Sequence, residues 1–481
     1  MSSLRNKAIH GIAWSTIERF SVQGIQFVIQ IIMARILGPE DYGIIAILVV
    51  FLAIFQVFVD SGFSSALVQK HDRSEVDYST VFYFNIGISI IFFLILFFMA
   101  PFVARFYEAP ILIPVARVVA FNLLINAFAV VPRVRLMVLI DFKTQAKVSF
   151  IAVVIGGATG IWMVYAGYGI WALVFQSLLN NGINTFLLWA LSRWMPLWVF
   201  SIGSFKSLFS FGSKILLSSL LGTIFGNLYA LVIGRKFTVQ ELGFYSRADQ
   251  FVQFPLASIT NIITRVALPI MCEEQNNDFF LKSIFSKFLR LSIYFVFPLM
   301  IGFAVLAEPF IFLVLTERWA PMIPLLQILC LAYAWVPFHA INLLVLQAKG
   351  RSDFFLRAEN LQRIISLAIF IFTIPLGIIA ICIGRVVSSI LTLYISTYYT
   401  KKILDIGLMQ QIKDVAPSFI LSFVMGGLVF LFTRIGFANI LTLLGGIAIG
   451  LISYIVGSIL LKLKAWNETC DMLRGIIKNE K

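Results

Sequence analysis

Apolar runs of about 20 residues, the length that crosses a bilayer as a helix, recur along the chain between short polar turns. The first six are Gly11 to Met33, Tyr42 to Ala66, Ser79 to Ala100, Ile111 to Val131, Val148 to Tyr165 and Gly169 to Leu191. The next six are Phe211 to Gly234, Phe244 to Met271, Leu289 to Leu315, Met322 to Gln347, Phe355 to Ile374 and Ile378 to Tyr398. Val415 to Thr433 and Ala438 to Leu461 complete the set. Runs of this length predict an all-α polytopic membrane protein with about 14 transmembrane helices. Interior prolines such as Pro255 and Pro298 fit it, because neighbouring helices in a membrane bundle absorb the kinks. The first run follows MSSLRNKAIH without a small-residue cleavage site and is expected to be a span, not a signal peptide.

Composition removes the soluble alternative. Of the 481 residues, 60% are hydrophobic and 12% charged, with 48 Phe against 3 His. A soluble chain of this length needs about twice that charged fraction to cover its surface. The formal net charge of +14 suggests nucleic acid, but the basic residues form no aromatic-interleaved face. They lie in the short segments between apolar runs. With the N-terminus in the cytoplasm and fourteen spans, most of the 37 Lys and Arg residues fall on the cytoplasmic side. The opposite side receives Arg35, Arg105, Arg117, Arg235, Lys236, Arg318 and Arg434. That asymmetry predicts an N-in, C-in topology, with Arg117 at its weakest point.

The connections are too short for a separate catalytic domain. The longest, about Ser192 to Ser210 and Cys272 to Phe288, carry amphipathic material such as FFLKSIFSKFLR that suits the cytoplasmic membrane interface. The four cysteines have no CxxC spacing and His10, His71 and His339 form no cluster, so neither a metal nor another cofactor is expected. Nucleotide-binding loops, zinc-protease motifs and nucleophile triads are absent, and the chain does not read as an enzyme.

Self-similarity organises the spans. ARILGPEDYG, ending at Gly43, recurs as GRKFTVQELG, ending at Gly243, so Arg35, Asp41 and Gly43 pair with Arg235, Glu241 and Gly243 at an offset of 200. Pro101 recurs as Pro309, and GYGIWA (167–172) as PLGIIA (375–380). Each repeat holds an even number of spans, which predicts two parallel six-helix lobes plus two C-terminal helices. The expected divisions are 1–191 for the first lobe, 192–210 for a cytoplasmic connection, 211–400 for the second lobe, and 401–481 for the last two helices and tail. Two such lobes facing one another make a cavity open to either side in turn; duplication of a mere scaffold is the blander reading.

At ARILGPEDYG, FVDSGFSSALVQK (58–70) and YSRADQFVQFPLASITNIITRVALP (245–269), the chain resembles the polysaccharide-exporter branch of the multidrug/oligosaccharidyl-lipid/polysaccharide flippase superfamily. The likeness is to the Wzx-like colanic-acid and lipopolysaccharide exporter group. It implies a bacterial inner-membrane flippase that turns over undecaprenyl-pyrophosphate-linked oligosaccharide units for surface polysaccharide. The implied partners are the lipid-linked oligosaccharide, membrane lipids, a polysaccharide polymerase and glycosyltransferases. The match places the turn motif at Arg35, Gly38, Pro39, Asp41, Tyr42 and Gly43, and the second copy has Thr238, Val239 and Gln240 where the first has Gly38, Pro39 and Glu40. A motif kept whole only once reads as structural.

Charged residues inside spans face a cavity or a partner, because an unpaired charge in a bilayer is costly. Glu18 and Arg19 lie in the first span, and Arg19, Gln23, Gln26 and Gln30 share one helical face, which either lines a lumen or hydrogen-bonds a neighbouring helix. Asp60 ends the second span; Arg247, Asp249, Gln250 and Gln253 open the eighth, with Arg265 deeper. A pyrophosphate is best met by the planar donors of arginine, which selects Arg19, Arg265 and Arg247. Arg265, late in its span, either takes that role or snorkels as an anchor near the cytoplasmic boundary; Arg385 either lines the lumen or pairs between helices. Asn122 and Asn126, with Asn180, Asn181 and Asn184, hydrogen-bond either sugars or neighbouring helices. The GxxxG stretches 156–160, 222–226 and 446–450 predict close helix packing. An ion-coupled antiporter resting on Asp60, Asp249 or Glu18 and a non-transporting scaffold are the competing functions.

Overall fold

A computed structural model describes residues 21–479, and within them every regular element is helical, with no strand. The helices are α1 (Ser21–Ile36), α2 (Pro39–Asp60), α3 (Phe63–Gln69), α4 (Glu75–Phe106), α5 (Leu112–Val119), α6 (Phe121–Val138), α7 (Phe142–Tyr165), α8 (Ile170–Ser192) and α9 (Ile202–Lys236). There follow α10 (Val239–Glu273), α11 (Asp278–Val305), α12 (Ala307–Val314), α13 (Met322–Tyr333), α14 (Val336–Ala348), α15 (Ser352–Thr373), α16 (Ile378–Leu404), α17 (Leu408–Thr433), α18 (Asn439–Leu460) and α19 (Lys464–Asn479). Among the described residues, 12 stretches are long and apolar enough to cross a membrane. The other two predicted spans fall on α1, described from Ser21 onward, and on α8, whose apolar run is interrupted by Asn180, Asn181 and Asn184.

Contacts divide the chain into two compact units, Met1–Gly243 and Phe244–Lys481, with the boundary inside α10. In the first, α7 packs along α8, α6 lies against α4 and α8, and α9 runs along α2 and α3. Its core gathers Phe63, Leu67, Phe82, Val131 and Trp194. The close approach of α7 and α8 uses Gly156 and Gly160, where a Cβ would stand 3.1 Å from Asn180 and 2.9 Å from Gln176. Gly446 and Gly450 likewise admit side chains of α17, whereas Gly222 and Gly226 have nothing within 4 Å among the described residues.

In the second unit, α11 packs on α17, α13 and α14, while α16 packs on α13, α14 and α15. Tyr294, Ile301, Leu421, Met425 and Tyr454 form its buried cluster. The segment FFLKSIFSKFLR is continuous with the helix that follows it. Asn277 caps the helix by accepting from the Phe280 N–H at 3.3 Å, and Leu281, Phe285 and Phe288 then bury one face, making the segment the opening turns of α11. Arg290 ties α11 to α19 through Glu468 and to α17 through Asp414, 3.4 Å away.

Candidate functional site

The repeated turns meet each other in the first unit. Gly38 caps α2, and its N–H donates to Asp41 Oδ2 at 3.2 Å, with Pro39 filling the first helical position, where no N–H is needed. Thr238 does the same work for α10: its N–H donates to Glu241 Oε2 at 3.0 Å, and Glu241 N–H donates back to Thr238 Oγ1 at 3.2 Å. Two different residue sets thus share one arm of the cap, a carboxylate three residues on accepting from the N-cap N–H, and Thr238 adds a side-chain acceptor that Gly38 lacks. The turns also press together reciprocally. A Cβ on Gly43 would lie 1.8 Å from the Val239 carbonyl oxygen, and one on Gly243 would lie 1.8 Å from that of Pro39. Beside them Tyr107 donates to the Leu231 carbonyl at 3.4 Å, and Arg235 pairs with Glu108 at 3.3 Å. Burial pushes the Tyr107 phenol up to about 12.

In the second unit α10 sets Tyr245, Asp249 and Gln253 four residues apart on one face. Two turns into α16, Arg385 reaches them, its Nη1 donating to Asp249 Oδ1 at 2.7 Å and to the Tyr245 hydroxyl at 2.6 Å. Its Nη2 donates to the Tyr333 hydroxyl at 2.6 Å, and the guanidinium carbon lies 4.7 Å from the Tyr333 ring centroid. Tyr333, at the end of α13, donates to Asp249 Oδ1 at 2.6 Å. Gln253 donates to Asp249 Oδ2 and, at 2.9 Å, to Tyr333. The Arg385 and Asp249 side chains each keep 21% exposure. An ion pair so placed between spans is fully partnered and not completely buried.

From Arg385 toward the C-terminal end of α16 runs a row of hydroxyls, Ser388, Ser389, Thr392, Ser396 and Thr400, at helical spacing. His339 of α14 sits against it, Nε2 lying 3.0 Å from the Ser389 carbonyl oxygen and Nδ1 3.4 Å from Ser396 Oγ. Below it, Asn342 donates to Gln411 Oε1 at 2.9 Å. The second unit therefore holds a polar seam, with the Arg385 cluster at one end.

The remaining predicted residues lie elsewhere. Glu18 and Arg19 lie outside the described residues. Gln23, Gln26 and Gln30 are half-buried on α1, where the Gln30 carbonyl accepts from the Tyr42 hydroxyl at 3.4 Å. Asp60 accepts from Ser64 one turn on. The asparagines serve helix contacts: Asn181 donates to Asn122 Oδ1 at 2.7 Å, Asn126 to Gln56 at 3.4 Å, and Asn184 accepts from Arg133 at 3.2 Å. Arg247 donates to Gln250 at 2.6 Å on its own helix, and Arg265 is exposed further along α10. Tyr333 was not singled out in the sequence, and nothing local marks it. Tyr245 carried two signals, its place at the head of the 245–269 stretch and its position one turn before Asp249.

A many-span helical fold with a charged cluster buried among its spans defines a membrane transport class, and the sequence comparisons specify which. Residues 32–324 match the family model described as "Polysaccharide biosynthesis protein", and the chain belongs to that family. It is 25% identical over 433 residues to the teichuronic acid biosynthesis protein TuaB of Bacillus subtilis, covering 89% of this chain and 90% of the relative. It is 26% identical over 339 residues to the lipopolysaccharide biosynthesis protein WzxC of Escherichia coli, covering 68% and 67%. Among solved structures, the lipid II flippase MurJ in an inward closed conformation shares the fold, with a TM-score of 0.76 at 16% identity over 94% of this chain and 99% of that one.

Proposed function

We propose that this protein is a flippase that carries pyrophosphate-linked oligosaccharide units on a polyprenyl lipid from the cytoplasmic to the outer leaflet of the bacterial inner membrane by alternating access. The observation that carries the reading is the guanidinium of Arg385, held inside a span by Asp249, Tyr245 and Tyr333. A headgroup that crosses lipid while its tail stays behind needs such planar, cationic donors at membrane depth. The reading also takes the protein as N-in and C-in, as the Lys and Arg distribution suggests, with lobes at 1–191 and 211–400 and no enzymatic step of its own. Reciprocal packing of Gly43 and Gly243, at the offset of 200 seen in the sequence, supports duplication of the lobes. The ion-coupled antiporter is the second reading, favoured by the Asp249 carboxylate in the same cluster.

Cell-surface display of lipid-linked glycan tests it. In cells lacking their own exporter, Arg385→Ala is expected to insert normally and abolish display, because it removes the donations to Tyr245, Asp249 and Tyr333 and leaves Asp249 without its cation. Arg265→Ala, on the exposed part of α10, is expected to weaken display, and Arg434→Ala to leave it unchanged. Wild-type display from Arg385→Ala would remove the cluster from the transport path.

A further inference from the structure

In this structure the guanidinium that the flippase reading assigns to the substrate is already engaged by a carboxylate. Arg385 Nη1 is 2.7 Å from Asp249 Oδ1, and that same oxygen accepts from the Tyr333 hydroxyl at 2.6 Å. Carboxylate and phosphate oxygens are ligands of the same kind for arginine, so an arriving pyrophosphate and Asp249 seek the same donors. Resting on the flippase reading, we propose that Asp249 and the substrate pyrophosphate compete for Arg385, and that their exchange takes up one proton, held on Asp249 while the phosphate is bound.

Charge accounting requires the proton. The Arg385–Asp249 pair as it stands, one cation and one carboxylate, is neutral. A doubly esterified pyrophosphate brings about two negative charges. If Asp249 stayed ionised, three negative charges would face one guanidinium at a carboxylate with 21% exposure, where water screens poorly. A proton taken from water onto the Asp249 carboxylate removes one of them, and the Arg385 contact passes from carboxylate to phosphate oxygen. The neighbours can follow by exchanging hydrogen bonds. Tyr333 now donates to Asp249 Oδ1 and accepts from Arg385 Nη2 and Gln253 Nε2. Once the guanidinium turns to phosphate, the site Arg385 vacates on the Tyr333 oxygen can accept from the new carboxylic O–H, the Tyr333 O–H turns to a phosphate oxygen, and Gln253 continues to donate.

The other groups around Asp249 leave it as the site of that proton. From α16 come Arg385 and, within electrostatic reach, Cys382; from α13 comes Tyr333; on α10 itself stand Tyr245 and Arg247. Arginine keeps its proton throughout, and tyrosine and thiol are already protonated at neutral pH. His339 is turned to Ser389, Thr392 and Ser396.

The test is binding of farnesyl-pyrophosphoryl-N-acetylglucosamine to the purified full-length chain in detergent; its diester pyrophosphate does not titrate in the range used. Affinity is expected to rise as pH falls from about 8 to about 5.5, by up to about tenfold per pH unit if one proton is taken up. Calorimetry in two buffers of different ionisation heat should count one proton taken up. Asp249→Asn, which copies the protonated shape, should bind at the higher pH as tightly as wild type does at the lower, with no proton uptake. Wild-type binding that is flat with pH and takes up no proton overturns the exchange while leaving the flippase reading intact. So does a wild-type pH slope retained by Asp249→Asn. Should that variant fail to fold, the wild-type proton count decides alone. Binding by neither protein at any pH refutes the substrate reading itself.

Discussion

At the scale of single residues, two glycines make the sharpest prediction. Gly43 and Gly243 each face a carbonyl oxygen at a distance no Cβ tolerates, 1.8 Å in both cases. The opposing atoms are backbone, capped at Gly38 and Thr238, so they cannot swing aside as a side chain would. Gly43→Ala or Gly243→Ala must therefore separate the turns. Forced overpacking of this kind costs about 1–3 kcal/mol. Thermal unfolding in detergent is expected at a lower temperature for each variant, whereas Gly87→Ala, with nothing within 4 Å, should unfold like wild type. Equal unfolding temperatures for all three would show that the turns do not press together. The motif was legible as a repeat in the sequence, since Arg35, Asp41 and Gly43 return at a fixed offset. That the repeated glycines touch one another was not, because a spacing of 200 residues carries no information about contact. The asparagines show the same limit: Asn122 and Asn181 are 59 positions apart, and only the fold makes them partners.

At the scale of elements, hydropathy found the spans because lipid demands unbroken apolar length from a helix whose backbone must satisfy itself. It misjudged the ends. Helices continue past the bilayer where caps and partners support them, so α9 begins at Ile202 and α11 at Asp278, well before the apolar runs start. Ser201 caps α9 by accepting from Ser204 N–H at 3.2 Å, a local signal that hydropathy does not weigh. α19 escaped notice because its length and polarity fit no span; Arg290 holds it through Glu468. The proposed topology makes its prediction here. Reporters fused after Asp72, Lys143 and Asp353 should read cytoplasmic, and those at Glu40, Glu108 and Arg318 external. A cytoplasmic signal at Glu40 with an external one at Asp72 would reverse the orientation.

At the scale of the whole molecule, class and function were more legible than the site. A chain that is 60% hydrophobic and 12% charged has few places to live other than a membrane. Arg385 and Asp249 were each visible as charges inside spans, which the cost of burying charge marks as functional or paired. Here they are paired, and the pairing, with Tyr245 and Tyr333 around it, arises from three helices far apart in sequence. The central claim is that this bundle moves a pyrophosphate-linked glycan across a bilayer. Its most direct measurement is flipping of fluorescent polyprenyl-pyrophosphoryl oligosaccharide in vesicles containing the purified protein, read by how much label an added membrane-impermeant quencher reaches over time. Wild-type protein is predicted to exchange label between leaflets well above empty vesicles, and Arg385→Ala to fall back to the empty-vesicle rate. Wild-type exchange no faster than in empty vesicles would contradict the account.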